Sequence, residues 1–152
     1  MTRRILILIA IAAPISLTAC ATTVDDPGPA AIRLTAARSG ANEVNAQGEL
    51  NKGDPDGTGT FTGRLIPSQS QLCYTLTWAN IANPAAAHIH TGAAGVNGGV
   101  FVGLPDLAAG EHCIAVTPAQ TTALSTTPQG YYVNLHNAEF GAGAIRGQLA
   151  RT

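Results

Sequence analysis

The segment 72–78 constrains the fold of this chain more than any other stretch. Apolar or aromatic side chains occupy every second position, with cysteine or threonine between them, in the order Leu72, Cys73, Tyr74, Thr75, Leu76, Thr77 and Trp78. Because successive side chains of a strand point to opposite faces, this alternation predicts an antiparallel strand that is buried on one face. The apolar face of that strand therefore belongs to a hydrophobic core.

Similar short segments follow one another along the chain, separated by turns rich in glycine, proline and asparagine. We predict strands over residues 32–38, 58–66, 72–78, 86–92, 100–104, 111–117, 131–137 and 144–150. Asp54-Pro55-Asp56-Gly57 predicts a turn before the second strand, and the glycine-rich segment 92–99 predicts a loop. The helical candidate is 118–125, because Pro118 suits the first turn of a helix. The whole pattern is typical of an all-β sandwich or barrel.

Composition limits the size and the partners of the protein. The 152 residues, of which 45% are hydrophobic and 11% charged, suffice for one compact domain with short appendages. Eight lysine and arginine residues against nine acidic ones provide no basic surface for phosphate contacts. We therefore expect a single domain and no nucleic-acid partner.

The first residues have the pattern of an export signal. Two arginines give it a positive start, and the apolar segment 5–15 is too short to span a bilayer as a stable anchor. Leu17-Thr18-Ala19-Cys20 resembles a bacterial lipobox, in which cleavage precedes the cysteine and acyl chains such as palmitate are attached there. We predict a lipoprotein signal peptide over residues 1–19 and lipidation of Cys20. The alternative is a plain secretory signal followed by an incidental cysteine.

The segment after the predicted signal has the composition of a flexible tether. Residues 20–31 are small, polar and punctuated by proline and glycine, and the folded domain is predicted over 32–152. Ala21 stands where inner-membrane lipoproteins of enterobacteria carry aspartate, which favours the outer membrane if the host has one. The expected location is the bacterial cell envelope, with the membrane contacted through the lipid on Cys20.

Two cysteines remain in the predicted domain, Cys73 and Cys113. An even pair in an exported domain favours a disulfide. The bond would close a loop of about forty residues and stabilise the fold by about 4 kcal/mol on the chain-entropy model. The alternative is a pair of buried free thiols.

Three of the four histidines fall on the polar sides of two predicted strands. His88 and His90 share one face of their strand, and His136 lies on the polar face of another. Two histidines spaced in this way can reach one ion, with His136 as a third ligand, and imidazole suits copper and zinc. The fourth, His112, shares its face with apolar residues. A copper or zinc site at the first three is one interpretation of this pattern.

A hydrogen-bonded polar network is the other interpretation. It would join the three histidines to Tyr132, Asn134 and Arg146 and would fix the register of the strands. Arg146 is then a strand-face cation with satisfied hydrogen bonds and not an anion site. The sequence contains no Gly-x-Ser-x-Gly motif or other nucleophile–base arrangement, so we expect no enzyme activity.

Three motifs in the segments 86–92, 130–136 and 143–149 occur in an order and at a spacing that resemble the CHRD family. This domain is found in chordin and in many exported bacterial proteins, and the similarity extends over about residues 34–149. The resemblance, here to a bacterial lipoprotein member, implies an immunoglobulin-like antiparallel β-sandwich of Greek-key type. Such a fold is distantly similar to copper/zinc superoxide dismutase. The resemblance also implies a family without an established enzymatic activity.

The chain departs from the pattern of that family at two places. Glu43-Val44-Asn45-Ala46 stands where the family usually has Glu-Val-Pro-Pro, and Ala144 stands where it usually has glutamate. Any ion pair or ligand that the glutamate provides elsewhere is therefore not expected at Ala144.

The sequence thus leads to two functional hypotheses. The leading one is an exported, lipid-anchored, non-catalytic binding or structural module of the cell envelope, with a protein or glycan partner and no cofactor. The alternative is a periplasmic copper- or zinc-binding protein, or a superoxide dismutase-like protein, that uses His88, His90 and His136. Stoichiometric bound metal distinguishes the two.

Overall fold

The computed structural model describes residues 30–152. The predicted signal peptide, the predicted lipidation site Cys20 and all but the last two residues of the predicted tether lie outside the described residues.

The described chain folds into nine strands and one α-helix, where the sequence predicts eight strands and one helix. The strands are β1 (Ile32–Ser39), β2 (Thr58–Ile66), β3 (Gln71–Ala79), β4 (Ala86–Thr91), β5 (Val100–Gly103), β6 (His112–Ala115), β7 (Tyr131–His136), β8 (Ile145–Gln148) and β9 (Ala150–Arg151). The helix α1 spans Pro118–Thr126. Short 3-10 helices at Gly40–Asn42, Pro67–Gln69 and Pro128–Gly130 were not predicted. Within residues 30–152, no helix combines the length and apolar character needed to cross a membrane.

The strands form an antiparallel sheet that curls into two facing halves. The order is β5-β4-β7-β8-β1-β2-β3-β6, with β9 also paired to β1. The two halves meet at one residue pair, where Ser39 of β1 lies opposite Arg146 of β8. We call β5-β4-β7-β8 the first half-sheet. The prediction of an all-β antiparallel sandwich with one short helix is confirmed.

The final predicted strand is divided between the two halves. β8 pairs with β7, whereas β9 pairs with β1 opposite Leu34 and Thr35. The division falls at the buried Leu149, whose backbone N–H donates to the carbonyl of Tyr131. A single predicted strand over 144–150 is therefore wrong, because the chain passes from one half to the other within it.

The core lies between the halves and uses alternate residues of the strands. Leu72, Tyr74 and Leu76 of β3 are buried there, as the alternation predicts. Ile89 of β4 and Val133 of β7 face them from the first half-sheet. Because strand side chains alternate, the histidines of β4 and β7 must lie on the outer face of that half-sheet.

The two domain cysteines form a disulfide, which confirms the prediction. Cys73 of β3 lies directly opposite Cys113 of β6, and the two sulfurs are bonded. The bond ties the edge strand β6 to the sheet across a sequence separation of 40 residues. The alternative of two free thiols is excluded.

Candidate functional site

Three histidine rings meet on the outer face of the first half-sheet. His88 and His90 project from β4 and His136 from the end of β7, while Ile89 and Leu135 point into the core. The ring centroids are 5.4 Å apart for His88 and His90, 5.1 Å for His88 and His136, and 5.8 Å for His90 and His136. We call these three residues the histidine cluster. One ring nitrogen of each lies within 4.8 Å of one from each of the others.

Two backbone carbonyls determine which ring nitrogens of the cluster are free. His90 Nδ1 lies 3.0 Å from the carbonyl oxygen of Gly98, and His136 Nδ1 lies 3.1 Å from that of Gly141. Since a carbonyl oxygen only accepts hydrogen bonds, each Nδ1 carries the proton. The neutral ring then leaves a lone pair on Nε2. Gly98 and Gly141 were not singled out in the sequence.

Three nitrogens of the cluster are buried without a partner among the described residues. They are Nδ1 of His88 and Nε2 of His90 and His136. Burial lowers the pKa of all three imidazoles, and for His90 the charges of His136, His88 and Arg146 lower the pKa further. The rings are therefore neutral at pH 7, and no donor within residues 30–152 reaches the lone pairs on Nε2 of His90 and His136.

A loop covers His90, although a place on the polar side of a strand predicts more exposure to solvent. The segment 92–99 folds back so that its Gly98 carbonyl reaches His90, which is only 8% exposed. A side chain at Gly98 would collide with the backbone of Thr91, so this close approach requires glycine. Asn97 secures the loop by donating to the carbonyls of Val44 and Asn45, each at 2.7 Å. The burial of His90 follows from these loop contacts.

A second polar group lies beside the histidines on the same face. The guanidinium carbon of Arg146 lies 3.3 Å from the ring centroid of Tyr132. Arg146 donates to Asn97 Oδ1 at 3.1 Å and to the carbonyls of Ala93 and Val96 at 3.0 and 2.7 Å. The side chain is 2% exposed. Arg146 thus has the satisfied hydrogen bonds that one interpretation of the sequence assigned to it.

Glu43 belongs to this group but was not predicted as a site residue. Its Oε2 accepts a hydrogen bond from Asn134 Nδ2 at 3.1 Å, and the residue is 2% exposed. Burial raises the pKa of Glu43 to about 7, although the charge of Arg146 and hydrogen bonds from Asn134 and Val44 oppose the shift. The sequence does indicate Glu43 through its place in the segment 43–46, which resembles a motif of the family. That segment was considered only because it lacks the two prolines of the motif. We call Glu43, Tyr132, Asn134 and Arg146 the arginine cluster.

The two clusters touch through aromatic stacking. The rings of His90 and Tyr132 have centroids 5.0 Å apart and planes 8° apart. Within residues 30–152, no hydrogen bond joins a histidine of the cluster to the side chains of Tyr132, Asn134 or Arg146. The predicted members of the polar network are thus neighbours of the histidines, while His90 and His136 bond to backbone carbonyls instead.

The fourth histidine lies on the other half of the sandwich. His112 of β6 contacts Asp106 through Nδ1 at 2.9 Å and the carbonyl of Ala108 through Nε2 at 3.0 Å. It takes no part in the histidine cluster. The nearby Cys73, Glu111 and Cys113 also converge, but the disulfide uses both sulfurs.

Comparison with known proteins places the chain in a family. The chain matched no curated protein and no solved structure. The family model described as the CHRD domain matches residues 34–149, which include both clusters and every strand except the first two residues of β1 and the whole of β9. Because this match covers most of the chain, the protein belongs to the CHRD domain family.

Proposed function

We propose that this protein is a lipid-anchored, non-catalytic binding module of the bacterial cell envelope. Membership of the CHRD family indicates a binding or structural module. The anchor is supported by one observation, the motif Leu17-Thr18-Ala19-Cys20 after a short apolar segment. Three acyl chains would hold the protein at the membrane almost irreversibly.

The histidine cluster supports a binding function for the domain. Most buried polar atoms of native proteins have a hydrogen-bond partner, and exceptions concentrate where another molecule completes the site. The unpartnered nitrogens of His88, His90 and His136 are such exceptions. A non-catalytic role is supported by the surroundings, because in residues 30–152 no serine, threonine or cysteine side chain forms a hydrogen bond with a histidine. The partner that this module engages is a protein or a glycan of the envelope.

Palmitate labelling of the full chain tests the anchor. In a Gram-negative host, the wild type should incorporate labelled palmitate and sediment with membranes. Cys20→Ala should lose both properties, while Ala21→Asp should keep the label and move to the inner membrane. A wild-type protein that stays soluble and unlabelled would overturn the anchored location.

A superoxide dismutase-like activity is the second candidate, and convergence of the three histidines is the observation that favours it. Superoxide consumption by the purified protein, measured after incubation with copper or zinc, tests this candidate. We expect no turnover above that of the free metal. Turnover that His136→Ala abolishes would instead establish an enzyme.

A further inference from the structure

We propose that His88, His90 and His136 together bind one divalent copper or zinc ion. The ligand atoms are Nδ1 of His88 and Nε2 of His90 and His136, the three nitrogens that are buried without a partner. This inference rests on the binding function proposed for the histidine cluster, and it departs from the expectation of a module without a cofactor because it gives that module a metal ion.

The number of unpartnered atoms favours a metal ion over water. Each buried polar atom without a partner costs about 1 to 3 kcal/mol. Nε2 of His90 and of His136 are acceptors, because each Nδ1 donates to a carbonyl, and Nδ1 of His88 is an acceptor when its Nε2 carries the proton. One water molecule has two hydrogens and satisfies at most two of these lone pairs. A metal ion accepts all three.

The hydrogen bonds on the far side of two rings have the form found at metal centres. A histidine ligand usually donates its other ring N–H to a carbonyl or carboxylate, which fixes both the tautomer and the ring orientation. Gly98 and Gly141 supply such carbonyls to His90 and His136. Both rings therefore present Nε2 as the free atom.

The spacing of the rings suits one ion. Each metal–nitrogen bond is about 2.0 to 2.1 Å long, so tetrahedral ligands lie about 3.3 Å from one another. One nitrogen from each ring already lies within 4.8 Å of the others, and the rings come from two directly paired strands. Small rotations of the rings would bring the nitrogens to bonding distance.

The surroundings select the class of metal. Imidazole nitrogens suit copper and zinc, whereas hard ions such as Ca²⁺ and Mg²⁺ prefer oxygen and Cu⁺ prefers sulfur. Within residues 30–152 there is no methionine, and both cysteines are in the disulfide. Copper should bind more tightly than zinc, as the usual order of divalent metals requires.

The site leaves a coordination position for an external ligand. Three protein ligands with one open position are typical of zinc sites that exchange a ligand, whereas structural sites have four. His88 lines a cavity of about 220 Å³ together with Gly103 and Leu104. Gly103 lies directly opposite His88 on β5, and the space where its side chain would stand is open. The fourth ligand of the proposed ion is expected to be a water or a small solute.

Metal titration of the mature, lipidated protein in detergent tests the proposal. The protein should carry no histidine tag and should first be treated with a chelator. Competition with a chromophoric chelator should give one Cu²⁺ or Zn²⁺ per chain. His90→Ala and His136→Ala should each weaken binding by more than about 100-fold, the upper range for losing an outer partner of a ligand. His112→Ala is the matched control and should bind as the wild type does.

Electron paramagnetic resonance of the wild type with one equivalent of Cu²⁺ gives a readout that needs no variant. Coupling to three nitrogens is expected. The absence of stoichiometric binding, or equal loss of binding in His112→Ala, would overturn the metal site. Palmitate labelling and membrane association would be unaffected by that result, so failure of this inference is distinguishable from failure of the anchored module.

Discussion

The histidine cluster and the arginine cluster lie side by side on one face of the sandwich, and they differ in what their polar atoms contact. Arg146 donates to one side-chain oxygen and two carbonyls of the loop 92–99 and stacks on Tyr132. In the histidine cluster, three ring nitrogens have no partner among the described residues. The guanidinium of Arg146 is thus satisfied within the chain, whereas the three ring nitrogens are available to a molecule from outside.

Alternate residues of one strand belong to the two different clusters. Tyr132 and Asn134 of β7 belong to the arginine cluster, and His136 of the same strand belongs to the histidine cluster. The arginine cluster has unpartnered acceptors of its own, Glu43 Oε1 and Asn134 Oδ1. With a pKa of about 7, the Glu43 carboxyl is partly protonated at neutral pH and can then act as a donor. The contrast therefore teaches that a buried polar group indicates a binding site only when its neighbours leave it unsatisfied.

Replacing Arg146 should change the free energy of unfolding more than any other substitution considered. A small change would contradict the difference drawn between the two clusters. Arg146→Met removes three hydrogen bonds and the contact with Tyr132, so we expect a loss of about 3 to 5 kcal/mol in the free energy of unfolding. Urea denaturation of the metal-free protein measures the change. Arg151→Met, at an exposed arginine of β9, is the control and should change stability by less than about 0.5 kcal/mol. Equal effects at the two positions would show that the arginine cluster does not stabilise the fold.

Glu43 of the arginine cluster should make the stability of the protein depend on pH. The pKa of this carboxyl is higher in the folded state than in the unfolded state. Its contribution to the free energy of unfolding is therefore full below about pH 4.5 and is lost as the pH rises through about 7. The shift corresponds to about 3 kcal/mol.

Glu43→Gln isolates that contribution, because the amide keeps a hydrogen-bond acceptor for Asn134 and does not ionise. The histidines titrate in the same range with the opposite sign, so the quantity to measure is the difference between variant and wild type at each pH. We expect the stability of Glu43→Gln to increase relative to that of the wild type as the pH rises from 4.5 to 7. A constant difference across this range would contradict the raised pKa.

Metal should stabilise the wild type through the histidine cluster. At a free metal concentration 100-fold above its dissociation constant, binding to the folded state alone adds about 2.7 kcal/mol. Thermal unfolding with and without Zn²⁺ measures the gain. His90→Ala should show no gain, while His112→Ala should match the wild type. Stabilisation that persists in His90→Ala would place the metal elsewhere.

The smallest effect is expected at the hydroxyl of Tyr132, whose ring joins the two clusters. The hydroxyl accepts a hydrogen bond from the backbone N–H of Gly98 at 3.3 Å. Tyr132→Phe removes that bond and keeps the ring beside His90 and Arg146, so we expect a loss of about 1 kcal/mol or less. Chemical denaturation measures this loss of stability, and the metal titration measures any change in metal affinity. A loss as large as that of Arg146→Met would mean that the hydroxyl, and not the ring, connects the clusters.

Local alternation explains how much of the fold was predictable. The strand predicted over 58–66 is β2 to the residue, and the face shared by His88 and His90 follows from the same two-residue period. The Cys73–Cys113 pair could be predicted from the number of cysteines and the expected compartment. These features depend on neighbouring residues or on simple counts.

The features that the sequence did not predict depend on contacts between segments that are distant in the chain. Glu43 reaches Asn134 across 91 residues, and Gly98 reaches His90 only because its loop folds back. No periodicity in the sequence reports such contacts. The anchor at Cys20 and the envelope location remain predictions, since they concern residues outside the described range.

Asn97 gives the covering loop a property of its own. Its amide nitrogen binds the carbonyls of Val44 and Asn45, and its oxygen accepts from Arg146. One amide thus joins the loop 92–99 to the segment 43–46, and Arg146 of β8 adds three hydrogen bonds that tie the same loop to the sandwich. Loss of this amide would therefore separate two segments that lie far apart in the sequence, and the cover over His90 would loosen without a change in strand pairing.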